Sequence, residues 1–273
     1  MLKKDRFASA QDYARYEYEL TKRIIIPLLK SWGVNFEQKR LLDVGCALGG
    51  STVAFWESGS KSVGVDIEAG YIKEAKIFAE KRKAEVSFLL SDISFEKGIK
   101  NLEAQKIIIL RDVIEHIPPE RRNELMVNIE KILGRGGFCF VSFPPYHSPF
   151  GGHQHCFKSV NRFLPYVHLL PSSLEIGLIS LDKNIKKRMS LEDQKIFWQW
   201  RAMAKRGKMT ITSFEKLVNL SCFNIIRQEL YLIRPVFSYR YGLVPVKNVL
   251  LGKVPGLREL TTTGALYLLQ KKS

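Results

Sequence analysis

Short apolar runs alternate with amphipathic stretches through the first half of the chain. The apolar runs predict five strands, at residues 40–45, 61–66, 86–90, 106–110 and 138–143. Apolar positions at helical spacing predict helices after Gly49, at 71–82 and at 119–133, where Pro119 suits a first helical turn. Strands and helices that alternate in this way are typical of a parallel sheet with helices on both faces.

The two ends of the chain extend this pattern. Apolar residues near helical spacing between Gln11 and Trp32 predict one or two helices before the sheet. A helix and two final strands follow the central region, at 213–220, 223–233 and 264–270. The pattern therefore predicts an α/β fold with a doubly wound, mostly parallel sheet of seven strands.

The alternation stops after the fifth strand. Residues 146–208 are rich in proline, histidine, serine and aromatic residues, and then become basic and helical. Long segments of this kind between regular elements usually carry function. We predict an insertion that covers the active site as a lid.

A glycine-rich turn joins the first strand to its helix, with the sequence Asp43-Val44-Gly45-Cys46-Ala47-Leu48-Gly49-Gly50. Glycine permits positive φ and lets the backbone approach a ligand closely. Such a turn alone does not identify the ligand, because nicotinamide-dependent dehydrogenases share it. The carboxylate of Asp43 distinguishes the two, since it would repel a diphosphate and attract an ammonium group.

Acidic residues also end the next two strands. A carboxylate at Asp66 can accept hydrogen bonds from both hydroxyls of a ribose, and Asp92 is placed to accept one from an adenine amino group. Each acid alone is as typical of a strand-end or helix-capping residue as of a ligand site. Three acids at the ends of successive strands favour a nucleoside site at the carboxyl edge of the sheet.

The runs that carry these residues resemble the class I S-adenosylmethionine (SAM)-dependent methyltransferases over residues 39–145. The resembling runs are Leu41–Gly50, Gly64–Asp66, Ser91–Ile93 and Arg111–Ile117. The resemblance implies a Rossmann-like fold in which the glycine loop holds the methionine part of SAM, the second-strand acid the ribose and the third-strand acid the adenine. It assigns cofactor binding to Asp43, Gly45, Cys46, Ala47, Gly49, Asp66, Ile67, Asp92, Ile93, Arg111 and Asp112. The sequence departs from the family at Ala47, where glycine is usual, and alanine is small enough to be tolerated.

The resemblance implies a single methyltransferase domain over residues 1–273. Its parts are N-terminal helices at 1–38, a cofactor-binding core at 39–145, a substrate-covering insertion at 146–208, and a C-terminal helix and strand pair at 209–273.

The acid-x-x-Glu-His run that starts at Asp112 is similar to one in ubiquinone-pathway O-methyltransferases and in small-RNA 3′-terminal 2′-O-methyltransferases. With later histidines, such a run could gather a divalent cation. Aspartate stands here where those enzymes usually have glutamate, and its shorter reach argues against direct ligation. Many class I methyltransferases have the Glu-His pair without a metal. A divalent metal is therefore possible but not favoured, and we assign catalytic or acceptor-pocket roles to Glu115, His116, His153 and His155.

The charge of the chain indicates which partners it could bind, and its cysteine content argues against two kinds of site. The formal net charge is +16, and residues 183–208 contain nine Lys or Arg against two acids. This excess is consistent with a solvated helical face or with a surface for an anionic partner, either RNA or a membrane. Four cysteines without a Cys-x-x-Cys spacing argue against a disulfide framework or a zinc site. No long apolar run or signal-peptide core is present, so we expect a cytoplasmic protein.

Several functions are compatible with these features. We predict methyl transfer from SAM to a small-molecule, lipid-linked or glycan acceptor, at oxygen; the chain is also similar to uncharacterised bacterial and archaeal methyltransferases, which leaves the acceptor open. An RNA methyltransferase that uses the basic surface is the alternative. A scaffold that keeps the fold without catalysis and a nicotinamide-dependent dehydrogenase are the remaining hypotheses, and the acids at 43, 66 and 92 argue against both.

Overall fold

The computed structural model describes residues 9–152, 164–181 and 190–272, which form ten α-helices and eight strands. The helices are α1 (Ala10–Leu20), α2 (Ile26–Ser31), α3 (Gly50–Glu57), α4 (Ala69–Lys81), α5 (Arg122–Ile132), α6 (Ser172–Ser180), α7 (Leu191–Gly207), α8 (Ile211–Asn219), α9 (Val236–Tyr241) and α10 (Leu257–Thr261). The strands are β1 (Arg40–Val44), β2 (Lys61–Asp66), β3 (Ser87–Leu90), β4 (Gln105–Arg111), β5 (Leu133–Phe143), β6 (Phe223–Ile233), β7 (Val246–Lys247) and β8 (Gly264–Lys271).

The eight strands form one sheet in the order β3-β2-β1-β4-β5-β8-β6-β7. Strands β1 to β5 pair in parallel, whereas β8 runs antiparallel to both β5 and β6. The chain winds from β1 outward to β3 and then crosses back to β4 on the other side of β1. Strand order therefore reverses between β1 and β4, which is where doubly wound sheets bind ligands at their carboxyl edge.

The predicted doubly wound, mostly parallel α/β architecture is confirmed, and the predicted number of strands is wrong. The additional strand is the two-residue β7, which pairs with β6 at the edge of the sheet. It lies in a segment that contains three prolines, and two residues are too few to show a periodic pattern. Strand β5 also begins five residues before the predicted position, because a bulge between Gln105 and Ile107 of β4 carries pairing back to Leu133.

Alternation along β4 shows how the sheet is buried on both faces. Ile107 and Ile109 pack into the apolar cluster on one face, and Ile108 and Leu110 pack into the cluster on the other. None of the four is more than 2% exposed. A continuous apolar run is what a central strand covered by helices on both sides requires.

The N-terminal helices cover one of these faces. Helices α1 and α2 are joined by a π-helical turn at Thr21–Ile25, ahead of Pro27, which lacks the N–H that a regular helix would use there. Helix α1 lies against the start of α3, so closely that a Cβ built on Gly50 would be 2.0 Å from the carbonyl oxygen of Ala14. Glycine at position 50 is therefore required by packing.

The described parts of the insertion contain α6 and α7, held together by a buried ion pair. Arg201 Nε donates to Glu175 Oε1 at 2.6 Å, and both side chains are almost fully buried. The end of α7 reaches the core, where Arg122 Nη2 donates to the carbonyl oxygen of Gly207 at 2.8 Å. The insertion thus contacts the core beside the 3₁₀ turn Ile114–His116, because the Cβ position of Gly207 is 2.9 Å from the carbonyl oxygen of Glu115.

Substitution of Gly50 by alanine tests the contact between α1 and α3. The added methyl group must displace backbone atoms of α1, so we expect the free energy of unfolding to fall by about 1–3 kcal/mol, measured by urea denaturation. Gly177→Ala in α6 is the control, because no atom lies within 4 Å of its Cβ position. This control should be neutral or stabilising by up to about 1 kcal/mol. Equal effects of the two substitutions would contradict the proposed packing constraint.

Candidate functional site

The loop from β1 to α3 has a left-handed backbone at three positions. Gly45, Ala47 and Gly49 have φ values of +67°, +46° and +80°. Alanine in this conformation costs about 1–2 kcal/mol relative to glycine, and a specific hydrogen bond holds it there: the backbone N of Ala47 donates to Asp66 Oδ2 at 2.9 Å. The acid at the end of β2 therefore fixes the loop that follows β1.

The two glycines of the loop are also constrained by their neighbours. A Cβ on Gly45 would lie 2.6 Å from Val113 Cγ2, and one on Gly49 would lie 2.8 Å from both Ala75 and Phe88. Gly45 is exposed, whereas Gly49 is buried. The exposed backbone at Gly45 is thus the part of the loop that a ligand can approach.

Asp43 lies beneath the loop. Its carboxylate accepts a hydrogen bond from Thr52 Oγ1 at 2.7 Å, and the residue is 3% exposed. Burial raises the pKa of Asp43 to about 6, against the opposing effects of the Thr52 hydroxyl and the Arg111 guanidinium. Asp43 is therefore placed to act on a cationic ligand through its charge, from under the loop.

The side chain of Cys46 is also buried beneath the loop. Its Sγ atom lies against β2, where a Cβ on Gly64 would be only 2.9 Å away. Burial raises the pKa of the Cys46 thiol. The side chain therefore packs under the loop, and only the backbone of Cys46 remains for a ligand.

At the end of β2, a carboxylate that already accepts backbone hydrogen bonds lies next to an exposed apolar side chain. Asp66 Oδ1 accepts a hydrogen bond from the backbone N of Glu68 at 3.0 Å, in addition to the bond from Ala47. The next residue, Ile67, is 71% exposed. An acid beside an open apolar surface provides hydrogen-bond acceptors and a packing face for a nucleoside.

The end of β3 has a different arrangement. Asp92 Oδ1 accepts hydrogen bonds from the backbone N and the Oγ of Ser94, at 2.9 and 2.6 Å. The Ile93 side chain is buried in the core, and its carbonyl oxygen accepts a hydrogen bond from Asn128. Asp92 therefore stabilises a local turn at the carboxyl edge of the sheet. The side chain of Ile93 packs into the core, away from this edge.

The residues at the end of β4 form two ion pairs across the fold. The largely buried Arg111 guanidinium pairs with Glu17 of α1. Asp112 has a φ of +56° and pairs with Arg234, whose Nη1 atom lies 3.2 Å from Oδ1. Asp112 is therefore paired with an arginine, which is a poor environment for a metal ligand.

Glu115 and His116 lie next to each other in the 3₁₀ turn that follows. Glu115 is 7% exposed, and neither of its carboxylate oxygens accepts a hydrogen bond within the part of the chain that is described. Burial, and then the neighbouring Asp112 carboxylate, raise the pKa of Glu115 well above its ordinary value. His116 Nε2 lies 3.9 Å from Glu115 Oε1, and its side chain is partly exposed. A buried acid of this kind beside a histidine is typical of catalytic sites.

The other two predicted catalytic residues, His153 and His155, lie outside the described residues. Within 9–152, 164–181 and 190–272, no group of three or more His, Cys, Asp or Glu side chains could hold a metal ion. The roles of these two histidines therefore stay predictions.

Sequence reasoning missed three residues that hold the site in place. Thr52 binds Asp43, Glu17 pairs with Arg111, and Arg234 pairs with Asp112. Thr52 follows the loop by two residues in a helix and is the one that a helical wheel could have suggested. The other two contacts span 94 and 122 residues and leave no local pattern.

Comparisons with known proteins bear on the region that contains this site. A family model described as a methyltransferase domain matches residues 41–137. The ubiquinone biosynthesis O-methyltransferase of Coxiella burnetii (strain Dugway) is 27% identical over 150 residues, which cover 52% of this chain and 62% of that protein. The corresponding protein of another Coxiella burnetii strain is 29% identical over 109 residues, 40% of this chain and 45% of its own length. The chain thus spans about half the length of the curated relatives it matches.

Solved structures share the fold over most of the chain. A protein of Pyrococcus horikoshii OT3 has a TM-score of 0.56 at 18% identity, covering 91% of this chain and 88% of its own. A SAM-dependent methyltransferase of Methanosarcina mazei has a TM-score of 0.52 at 13% identity, covering 90% and 97%. The magnesium protoporphyrin IX methyltransferase of Synechocystis PCC 6803, solved with bound SAH, has a TM-score of 0.50 at 15% identity, covering 91% and 80%.

The glycine loop, the acids at the ends of β1 to β3 and the reversal of strand order between β1 and β4 coincide with the region matched as a methyltransferase domain. Residues 41–137 thus match a methyltransferase domain, and the chain is similar to SAM-dependent methyltransferases in this region and shares their fold.

Proposed function

We propose that this protein transfers a methyl group from SAM to an oxygen atom of a small-molecule, lipid-linked or glycan acceptor. The observation that carries the proposal is the left-handed loop at 45–49, closed by Asp66 beside the exposed side chain of Ile67. This loop lies at the strand reversal, where such folds bind nucleosides.

The residues at this edge fit SAM in charge and shape. Gly45 and Ala47 offer backbone to the methionine part, and the Asp43 carboxylate below favours its positive charges. Asp66 accepts hydrogen bonds from the ribose hydroxyls, and Ile67 packs against the adenine. Asp92 accepts from the adenine amino group. Cys46, Gly49, Ile93, Arg111 and Asp112 complete the edge through backbone contacts and charge.

When bound, SAM supplies an electrophilic methyl carbon on its sulfonium sulfur. The protein must position the acceptor oxygen and remove its proton. His116 is the proposed general base, because its ring is partly exposed and lies beside Glu115. The Glu115 carboxyl, buried and without a hydrogen-bond partner within the described residues, orients the acceptor or the His116 ring. We assign acceptor-pocket roles to His153 and His155.

The proposed oxygen specificity rests on the similarity to the ubiquinone biosynthesis O-methyltransferases of Coxiella burnetii. The contact between the end of α7 and the turn that holds Glu115 supports a covering role for the insertion. The acceptor therefore enters between the insertion and the end of β4 in this proposal.

Substitution of Asp66 by asparagine tests the cofactor site. Asparagine removes a charged acceptor, so the affinity for SAM should fall about 10- to 100-fold in calorimetric titration. Glu103→Gln is the control, because Glu103 forms an exposed ion pair with Arg40 at the opposite edge of the sheet. If the wild-type protein binds no SAM at millimolar concentration, the proposed function is wrong.

Substitution of Asp43 by asparagine separates stability from cofactor binding. The raised pKa means that the folded state favours the protonated carboxyl, so its stabilising effect is present below about pH 4 and lost as the pH rises through about 6. Asparagine removes this penalty while it can still accept the Thr52 hydrogen bond. At pH 7.5 we expect the free energy of unfolding to rise by about 1–3 kcal/mol, and the affinity for SAM to fall. An equal gain in stability at pH 4 would contradict the assigned cause.

Substitutions at His116 and Glu115 test the catalytic assignment. His116→Ala and Glu115→Gln should lower kcat about 100-fold or more, because proton removal by a positioned base contributes that much, and should leave SAM affinity within about twofold. The assay uses methyl-labelled SAM with a panel of phenolic, hydroxylated lipid and sugar acceptors. Glu120→Gln is the control, since Glu120 pairs with Arg206 at the surface. Parallel losses of kcat and SAM affinity would assign both residues to cofactor binding instead.

A further inference from the structure

The chain between β6 and β8 exposes a large amount of apolar surface. Ten large apolar side chains are exposed between Tyr241 and Leu260, and we call residues 241–260 the apolar segment. Leu250 and Val244 are 80% and 76% exposed. Isolated exposed apolar residues are ordinary in soluble proteins, but a concentration of this size within 20 residues marks an interaction surface.

Most charged residues in and beside the apolar segment are cationic. Arg240, Lys247, Lys253 and Arg258 are cationic, and Glu259 is the only acid from 236 to 263. Glu259 is buried, where its carboxylate accepts hydrogen bonds from the backbone N of Ile211 and Thr212 at the start of α8. Lys247 pairs with Glu229 of β6, and Arg258 pairs with Glu215 of α8. The segment therefore presents apolar side chains, the exposed Lys253 and the partly exposed Arg240 to solvent, and its own acid is buried.

Sheet topology places the apolar segment near the candidate site. Because β8 is antiparallel to both β5 and β6, β6 ends and β8 begins at the carboxyl edge of the sheet. Arg234, the residue just after β6, pairs with Asp112 of the site. The insertion joins the same surface, since Tyr166 Oη donates to the carbonyl oxygen of Leu260 at 3.2 Å, and Leu164 and Leu169 are exposed beside it.

We propose that the apolar segment binds the surface of an anionic membrane. Exposed apolar side chains insert at the boundary of headgroups and acyl chains, and interspersed Lys and Arg side chains attract anionic lipids. A second copy of the chain fits less well, because a two-fold interface would bring this cationic surface against itself. Among the described residues, no helix has the length and apolar character needed to cross a bilayer. The proposal is independent of methyl transfer and is tested by binding alone.

The test measures binding of the full chain to vesicles of phosphatidylcholine with 30% phosphatidylglycerol, by flotation at low salt. We expect binding that weakens as the phosphatidylglycerol is removed or the salt is raised. The double variant Val244→Ser, Leu250→Ser should bind at least about tenfold more weakly, since it removes most of the apolar area of two side chains that would enter the interface. Because both side chains are largely exposed, the variant should fold normally, which a thermal melt verifies.

The matched control is Leu220→Ser, a residue that is 74% exposed just after α8, next to the start of β6 at the other edge of the sheet. It should bind vesicles like the wild-type protein. Lys253→Gln should weaken binding about fivefold, as expected for one basic side chain near an anionic surface.

Three outcomes would overturn the proposal. One is no flotation of the wild-type protein with anionic vesicles, and another is equal binding by the double variant. The third is a double variant that loses self-association or binding to single-stranded RNA while vesicle binding is unchanged, which would assign the segment to a second copy or to RNA. A defect in SAM binding has no bearing on any of these results, so failure here and failure of the proposed activity are distinguishable.

Discussion

The turn from β1 into α3 is the constraint on which the candidate site depends. The chain must pass from Val44 to Gly50 through three left-handed residues, one of which is alanine. Asp66 holds that alanine by its backbone N, so the loop keeps its shape only if β1 and β2 pair in their observed register, with Asp43 opposite Gly64. A shift of one residue would turn Asp66 to the other face of the sheet. The register of two parallel strands therefore determines the geometry of the loop.

Burial of acidic side chains at the carboxyl edge of the sheet lowers the stability of the folded chain. Asp43 and Glu115 are both buried, and burial raises the pKa of each. Two arginines compensate in part, since the charge of Arg111 favours ionised Asp43 and that of Arg234 favours ionised Glu115. A fold that needed only stability would place apolar side chains at these positions. Strained or unpaired groups of this kind concentrate at functional sites.

The sequence predicted those features that depend on local pattern. The predicted bounds of β2 and β6 agree with the observed ones to the residue. The acids at strand ends could be assigned to the carboxyl edge because parallel strands bring their ends together. The pairings of Glu17 and Arg234 could not be predicted, since they join elements far apart in the chain. The inward direction of Ile93 was also missed, because the residues after a strand no longer follow its alternation.

Helix α1 stabilises the residues that follow it, because it packs against Gly50 and its Glu17 pairs with Arg111. The methyltransferase-domain match runs only from 41 to 137, yet α1, Arg234 and the antiparallel strand beside β5 all lie beyond it. A fragment cut at the limits of the match would lose residues 138–143 of β5, with most of the pairing between β5 and β4, and would leave the Arg111 guanidinium without its counter-ion. The contacts that hold this region together therefore extend beyond both limits of the match.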